Sequence, residues 1–183
     1  EDKKLEASKG FDGTWVAHPG LVATAMAEFN AVLGDRPNQK EVMREDVNIT
    51  PDQLLNVNID NFAITENGLR MNINVGLQYI SNWLTGHGAV AIHNLMEDVA
   101  TAEISRAQVW QWLKHGVKTQ EGKVIDTKYY TAIYDEEVAK LKENPDFKIP
   151  AEVFADACSI FNDLVLSNEF SEFLTLKAYE ELS

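Results

Sequence analysis

Two adjacent carboxylates, Glu97 and Asp98, are the residues of this chain best placed to do chemistry. They stand in the run Asn94-Leu95-Met96-Glu97-Asp98-Val99-Ala100-Thr101-Ala102-Glu103-Ile104-Ser105-Arg106. Before them the helical pattern breaks near 94–98. After them Val99, Ala102, Arg106, Val109 and Leu113 recur at helical spacing up to Gly116. Asp98 therefore reads as a helix N-cap, accepting the backbone N–H of Ala100 or Thr101. A carboxylate held this way has a fixed orientation, as a general base requires. From periodicity alone, a plain structural cap accounts for Asp98.

Other arrangements are weaker. His93 and Glu97 are four apart, with His87 six residues earlier, a spacing that would suit metal ligands on one helix face. Gly86, Gly88 and the break before Asp98 argue against a continuous helix, and no cysteine completes a set. His18 and His115 have no nucleophile partner in the pattern. Gly86-His87-Gly88 is too short for a phosphate loop. Arg36, Lys40 and Arg44 read as a solvated turn rather than as phosphate contacts. Cys158, the single cysteine, lies in the apolar run from Val153 to Val165 and reads as a small buried hydrophobe. One cysteine cannot close an internal disulfide, which points to a reducing cytoplasm.

The elements that must position these residues are mostly helices. Gly13 to Pro19 has β-type residues between a glycine and a proline and predicts a short strand over Gly13–His18. Pro19 then opens a helix with Leu21, Val22, Ala25, Met26, Phe29, Val32 and Leu33 on its apolar positions, closed by Gly34. A lone βα unit leaves strand donors and acceptors unpaired, so it implies neighbours outside this chain. Thr50-Pro51 and Thr65 are helix starts, the second opening a helix with a stripe of Leu69, Ile73, Leu77, Ile80 and Leu84. Gly88–His93 predicts a short buried helix. Further helices are expected from Thr127 as N-cap, from Pro150, and over Phe170–Leu182. The fold class is mainly α, a bundle of about five helices preceded by a βα remnant.

The chain has 183 residues and 45% apolar content, enough for a real core. Its 16 basic against 29 acidic residues give a net charge of -13, which disfavours nucleic acid. No stretch of 18 apolar residues spans a membrane, and the charged N-terminus is no signal peptide. Glu181-Leu182-Ser183 is not a peroxisomal signal.

The Asn94–Arg106 run closely resembles the C-terminal signature of malate synthases. Three other stretches agree in order and spacing. Asp12-Gly13-Thr14-Trp15-Val16-Ala17-His18-Pro19 resembles the last strand of that family's (β/α)8 barrel. Pro37-Asn38-Gln39 is similar to the segment after the last barrel helix. Gly68-Leu69-Arg70 with Asn72-Ile73, Val75-Gly76 and Tyr79 resembles the opening of the helical C-terminal domain. The resemblance implies residues 1–40 as the end of a TIM barrel and 41–183 as the C-terminal helical domain. It also implies a Claisen condensation of acetyl-CoA with glyoxylate, followed by thioester hydrolysis to malate and CoA, as in the glyoxylate bypass. By that resemblance Asp98 is the base, Met96 lines the acetyl-CoA site, and Trp15 and Pro19 line the substrate pocket. Glu97 is expected to make a supporting hydrogen bond or salt bridge.

The resemblance also implies a Mg2+ whose ligands, with an enolate-stabilising arginine, lie in a barrel portion absent from this chain. The chain is then expected to be a piece of a longer enzyme, inactive alone, with an apolar βα remnant that favours self-association. The competing expectations are a helical interaction domain in which Asp98 is only a cap, and a related acyl-CoA lyase.

Overall fold

The structure, a computed structural model, describes residues 1–182. Ser183, the last residue of the expected helical domain, lies outside them. The chain divides into two compact units, residues 1–60 and a second beginning at Asn61.

The first unit holds three helices, α1 (Asp2–Ser8), α2 (Val22–Leu33) and α3 (Pro51–Leu55). Pro19–Leu21 forms a 3-10 turn leading into α2, with the His18 Nδ1 accepting the N–H of Gly20 at 3.0 Å. Gly34 ends α2 at φ 57, where a side chain would be strained. Thr50 caps α3 in a capping box with Gln53.

The strand expected over Gly13–His18 does not form. These residues are irregular chain, and Gly13–Val16 line a groove of about 420 Å³ against α2. The cause is the one that made a lone strand suspect: without neighbouring strands its backbone groups have no ladder to join.

Gln39 is buried and donates through Nε2 to the carbonyls of Ala7 and Phe11, tying the turn after α2 to the end of α1. Arg36 donates to the C-terminal carbonyls of α2 at Val32 and Leu33. Arg44 pairs with Asp46 and donates to the Lys9 carbonyl. The Arg44 bond to Lys9 ties this stretch to the end of α1 within the first unit.

The second unit runs α4 (Glu66–Leu84), β1 (Val90–Ile92), β2 (Leu95–Glu97), α5 (Val99–His115), α6 (Thr127–Glu143), α7 (Ala151–Leu166) and α8 (Leu174–Ala178). Thr65 caps α4, accepting from the Gly68 N–H. This helix is the hub, packing on α5, α6 and α7. Leu69, Ile73, Leu77 and Ile80 are fully buried, as their stripe predicts, and Val75, Gly76 and Tyr79 bury a further face. Each such aliphatic side chain stabilises the fold by about 1.5–3 kcal/mol.

Where α4 meets α7, a Cβ placed on Gly76 would lie 2.3 Å from the Phe161 ring. Gly76→Ala gains helix propensity of roughly 1 kcal/mol but must displace a fully buried ring. The clash wins. The variant is expected to lose about 1–3 kcal/mol of stability, read as a lower urea midpoint.

Two helix expectations change at their ends. Asp126, not Thr127, caps α6, because its carboxylate accepts the Tyr129 N–H at 2.7 Å. The last helix is shorter than Phe170–Leu182, being α8 followed by a 3-10 turn at Tyr179–Glu181. Before it, α5 ties down the irregular segment: Arg106, Trp110 and Lys114 donate to the carbonyls of Glu172, Ser167 and Asn168. Among the described residues no helix is long and apolar enough to cross a membrane.

A charge network joins α4 to α6. Arg70 bridges Glu66 at 2.7 Å, Glu136 at 2.7 Å and the buried Glu137 at 3.1 Å. Burial works to raise the Glu137 carboxyl, but hydrogen bonds from Lys140 and Arg70 outweigh it and hold it below its ordinary value. The Tyr129 hydroxyl and Arg70 hold Glu66 low as well. Carboxyls depressed by folding contribute stability that is complete above the unfolded pKa, about 4.3. That stability is lost as pH falls through the lower folded values. The urea midpoint of the chain is therefore expected to drop below about pH 4.3, and more shallowly for Glu137→Gln. Equal pH slopes for the two proteins would exclude this role for Glu137.

Candidate active site

The Met96-Glu97-Asp98 run lies on a β-hairpin, not after the short helix expected over Gly88–His93. The reason is local. His93 and Asn94 both take positive φ, 50° and 64°, the geometry that two-residue hairpin turns require and that Asn tolerates best. The turn sets the register Val90↔Glu97, Ala91↔Met96 and Ile92↔Leu95.

Register decides what each side chain faces. Val90 and Ile92 are buried, whereas Ala91 between them is exposed. Residues opposite one another share a face, so Glu97 falls on the inner side and Met96 on the outer. Asp98 continues in extended conformation (φ -121°, ψ -175°), which carries it to the same side as Met96. The two neighbouring carboxylates thus point opposite ways. Glu97 is half-buried and accepts the Thr101 hydroxyl at 2.5 Å. Asp98 is exposed.

Asp98 caps α5 as the sequence predicts, its Oδ1 accepting the Ala100 N–H at 3.0 Å. Among the described residues its second oxygen has no hydrogen-bond partner. One oxygen is anchored and the other is not.

A two-stranded hairpin is marginal without support, and α4 supplies it. The Tyr79 hydroxyl donates to the Gly88 carbonyl at 2.9 Å, fixing the root. At the tip, His93 Nε2 meets Asn74 Oδ1 at 3.0 Å, and Asn74 Nδ2 donates to Glu137. Burial, and secondarily the Asp98 charge, push the Tyr79 phenol up, so the field of that carboxylate reaches the α4 side chain.

Met96 and Asp98 belong to the second unit, Trp15 and Pro19 to the first. Met96 is 47% exposed and Trp15 82%, and Pro19 begins the exposed 3-10 turn. Thr101 supplies the supporting hydrogen bond expected of Glu97, whereas the bonds of Asn74 and Tyr79 to the hairpin have no counterpart in the sequence reading. Glu97 and Thr101, four apart, carried a local signal. The Asn74–His93 contact had none.

Two domain models match this chain. One describes the malate synthase C-terminal domain, over residues 63–182, and the other the malate synthase TIM barrel domain, over residues 1–57. The chain belongs to the malate synthase family. Malate synthase A of Escherichia coli (strain K12) is 46% identical over 184 residues, covering 100% of this chain and 34% of that protein. A malate synthase of Streptomyces clavuligerus is 44% identical over 183 residues, again 100% and 34%. A glyoxysomal malate synthase of Glycine max is 45% identical over 185 residues, covering 98% and 32%. The chain therefore spans about a third of the length of these malate synthases. Its first unit corresponds to a TIM-barrel piece and its second to the C-terminal domain, which carries Asp98.

Among the described residues no three His, Cys, Asp or Glu side chains gather in a group that could hold a metal ion, so these residues do not fit a magnesium site. His93 and Glu97 are engaged with Asn74 and Thr101 instead.

Proposed function

We propose that this chain is the C-terminal part of a malate synthase and that Asp98 is its general base. The observation that carries the reading is the Asp98 carboxylate, anchored through Oδ1 and free at its other oxygen, on the exposed face of the hairpin. In the intact enzyme that free oxygen removes a proton from the methyl group of acetyl-CoA, and the C–H electron pair passes into the thioester enolate. The enolate carbon bonds the aldehyde carbon of glyoxylate, the C=O π pair moves onto the aldehyde oxygen, which takes up a proton to become the malyl hydroxyl, and water then cleaves the malyl thioester to malate and CoA. A thioester α-proton is weakly acidic, so placement of the base and stabilisation of the enolate oxygen must share the work.

Met96, on the same face as Asp98, contacts the acyl group, where a flexible thioether suits it. Trp15 and Pro19 line the pocket from the barrel side. The barrel portion beyond this chain is its partner and supplies the magnesium ligands and the enolate-stabilising arginine. Cys158 is half-buried with its thiol pushed up by burial, which suits a structural thiol in a reducing cytoplasm.

The alternative, a helical interaction domain, accounts for the cap but not for the matches to both family domains. Glyoxylate-dependent CoA release by the intact enzyme with Asp98 replaced tests the proposal. Lost turnover in a folded variant supports the base, and retained turnover returns Asp98 to a helix cap.

A further inference from the structure

Two carboxylates are adjacent, and a shift of one residue would exchange the exposed one for the half-buried one. The root and tip of the hairpin are pinned by Tyr79 and Asn74 from α4, but both pins lie upstream of Asp98. Downstream, the junction into α5 is held by the Asp98 cap bond and by the Thr101 hydroxyl on Glu97. The second bond closes a loop across the residue in question. Glu97 precedes Asp98, Thr101 lies one helical turn later, and neither can rotate without breaking the bond.

We propose that Glu97 and Thr101 form a positioning pair that keeps Glu97 turned inward and aims the free oxygen of Asp98 outward. The inference rests on Asp98 as the base. The role is geometric: Thr101 donates, Glu97 accepts, and neither touches the reacting atoms. Glu97 sits on the inner face beside buried Val90, and Thr101 is half-buried, so the bond is shielded more than a surface pair. A bond that fixes orientation contributes at the transition state rather than to substrate affinity, so its loss falls on kcat and not on KM.

The test uses the intact enzyme and three variants. Thr101→Val removes the donor at nearly constant shape, and Thr101→Ser restores a hydroxyl. Asp98→Asn reports separately on the base. Thr101→Val is expected to lower kcat about 10- to 100-fold, the scale of a small misplacement of a catalytic group. Both KM values should stay within about threefold, and the melting midpoint within a few degrees. Thr101→Ser should keep kcat within about threefold of wild type.

Unchanged kcat in Thr101→Val overturns the proposal. So does a loss that Thr101→Ser fails to rescue, or one that follows the folded fraction. If Asp98→Asn abolishes turnover while Thr101→Val leaves it intact, the positioning pair alone fails. If Asp98→Asn retains turnover, the assignment of the base itself has failed.

Discussion

Asp98→Asn in the intact enzyme is expected to lower glyoxylate-dependent CoA release by at least about 1000-fold while leaving stability nearly unchanged. General-base catalysis is commonly worth about 10²–10⁴-fold. Here the upper part of that range applies, because the methyl proton of a thioester has no other carboxylate aimed at it from this hairpin. Glu97 faces inward and is engaged with Thr101. The amide keeps the geometry: Asn is as good an N-cap as Asp, so the Oδ1 bond from Ala100 is retained and the helix start loses little.

Asp98→Ala makes a useful contrast, since it removes base and cap together and should cost about 1 kcal/mol of stability besides. If Asp98 were only a cap, the order would reverse. Asn would be harmless in every assay, and Ala would lower the melting midpoint and leave turnover per folded molecule unchanged. Steady-state kinetics with thermal unfolding of the three proteins separates these outcomes.

The second large effect concerns the chain by itself. Residues 1–183 alone are expected to turn over acetyl-CoA and glyoxylate at less than about 1/1000 of the intact enzyme's rate. On the proposed reading Asp98 acts alone there: it is exposed, whereas a general base works in a site closed to water, and the enolate-stabilising groups are assigned to the barrel portion.

The second unit should nonetheless fold, because its core is closed around α4 without help from the first. The first unit leaves Trp15, Leu21, Met26, Met43, Leu54, Leu55 and Val57 exposed, an apolar load suited to a missing surface or to another copy. Helical circular dichroism, association by light scattering and negligible CoA release are the expected set. A rate near that of the intact enzyme would contradict it, as would a monodisperse monomer for the association.

The sequence by itself determined α4, α5 and α7 and the caps of α3, α4 and α5, because these are local. Leu69, Ile73, Leu77 and Ile80 recur with the helical period, and Thr50, Thr65 and Asp98 each satisfy donors within three residues of themselves. It also placed Asp98, through a run whose residue types and order resemble one family.

Tertiary structure decided what depends on partners distant in sequence. The strand at Gly13–His18 needed neighbours the chain does not contain, so it stayed irregular. The last helix begins late, after a segment that Arg106, Trp110 and Lys114 of α5 tie down through its carbonyls. The hairpin, turned locally by His93 and Asn94, is held in place by α4 through Tyr79 at its root and Asn74 at its tip. That hairpin register, and not the order of residues in Met96-Glu97-Asp98, turns one carboxylate inward and leaves the other free.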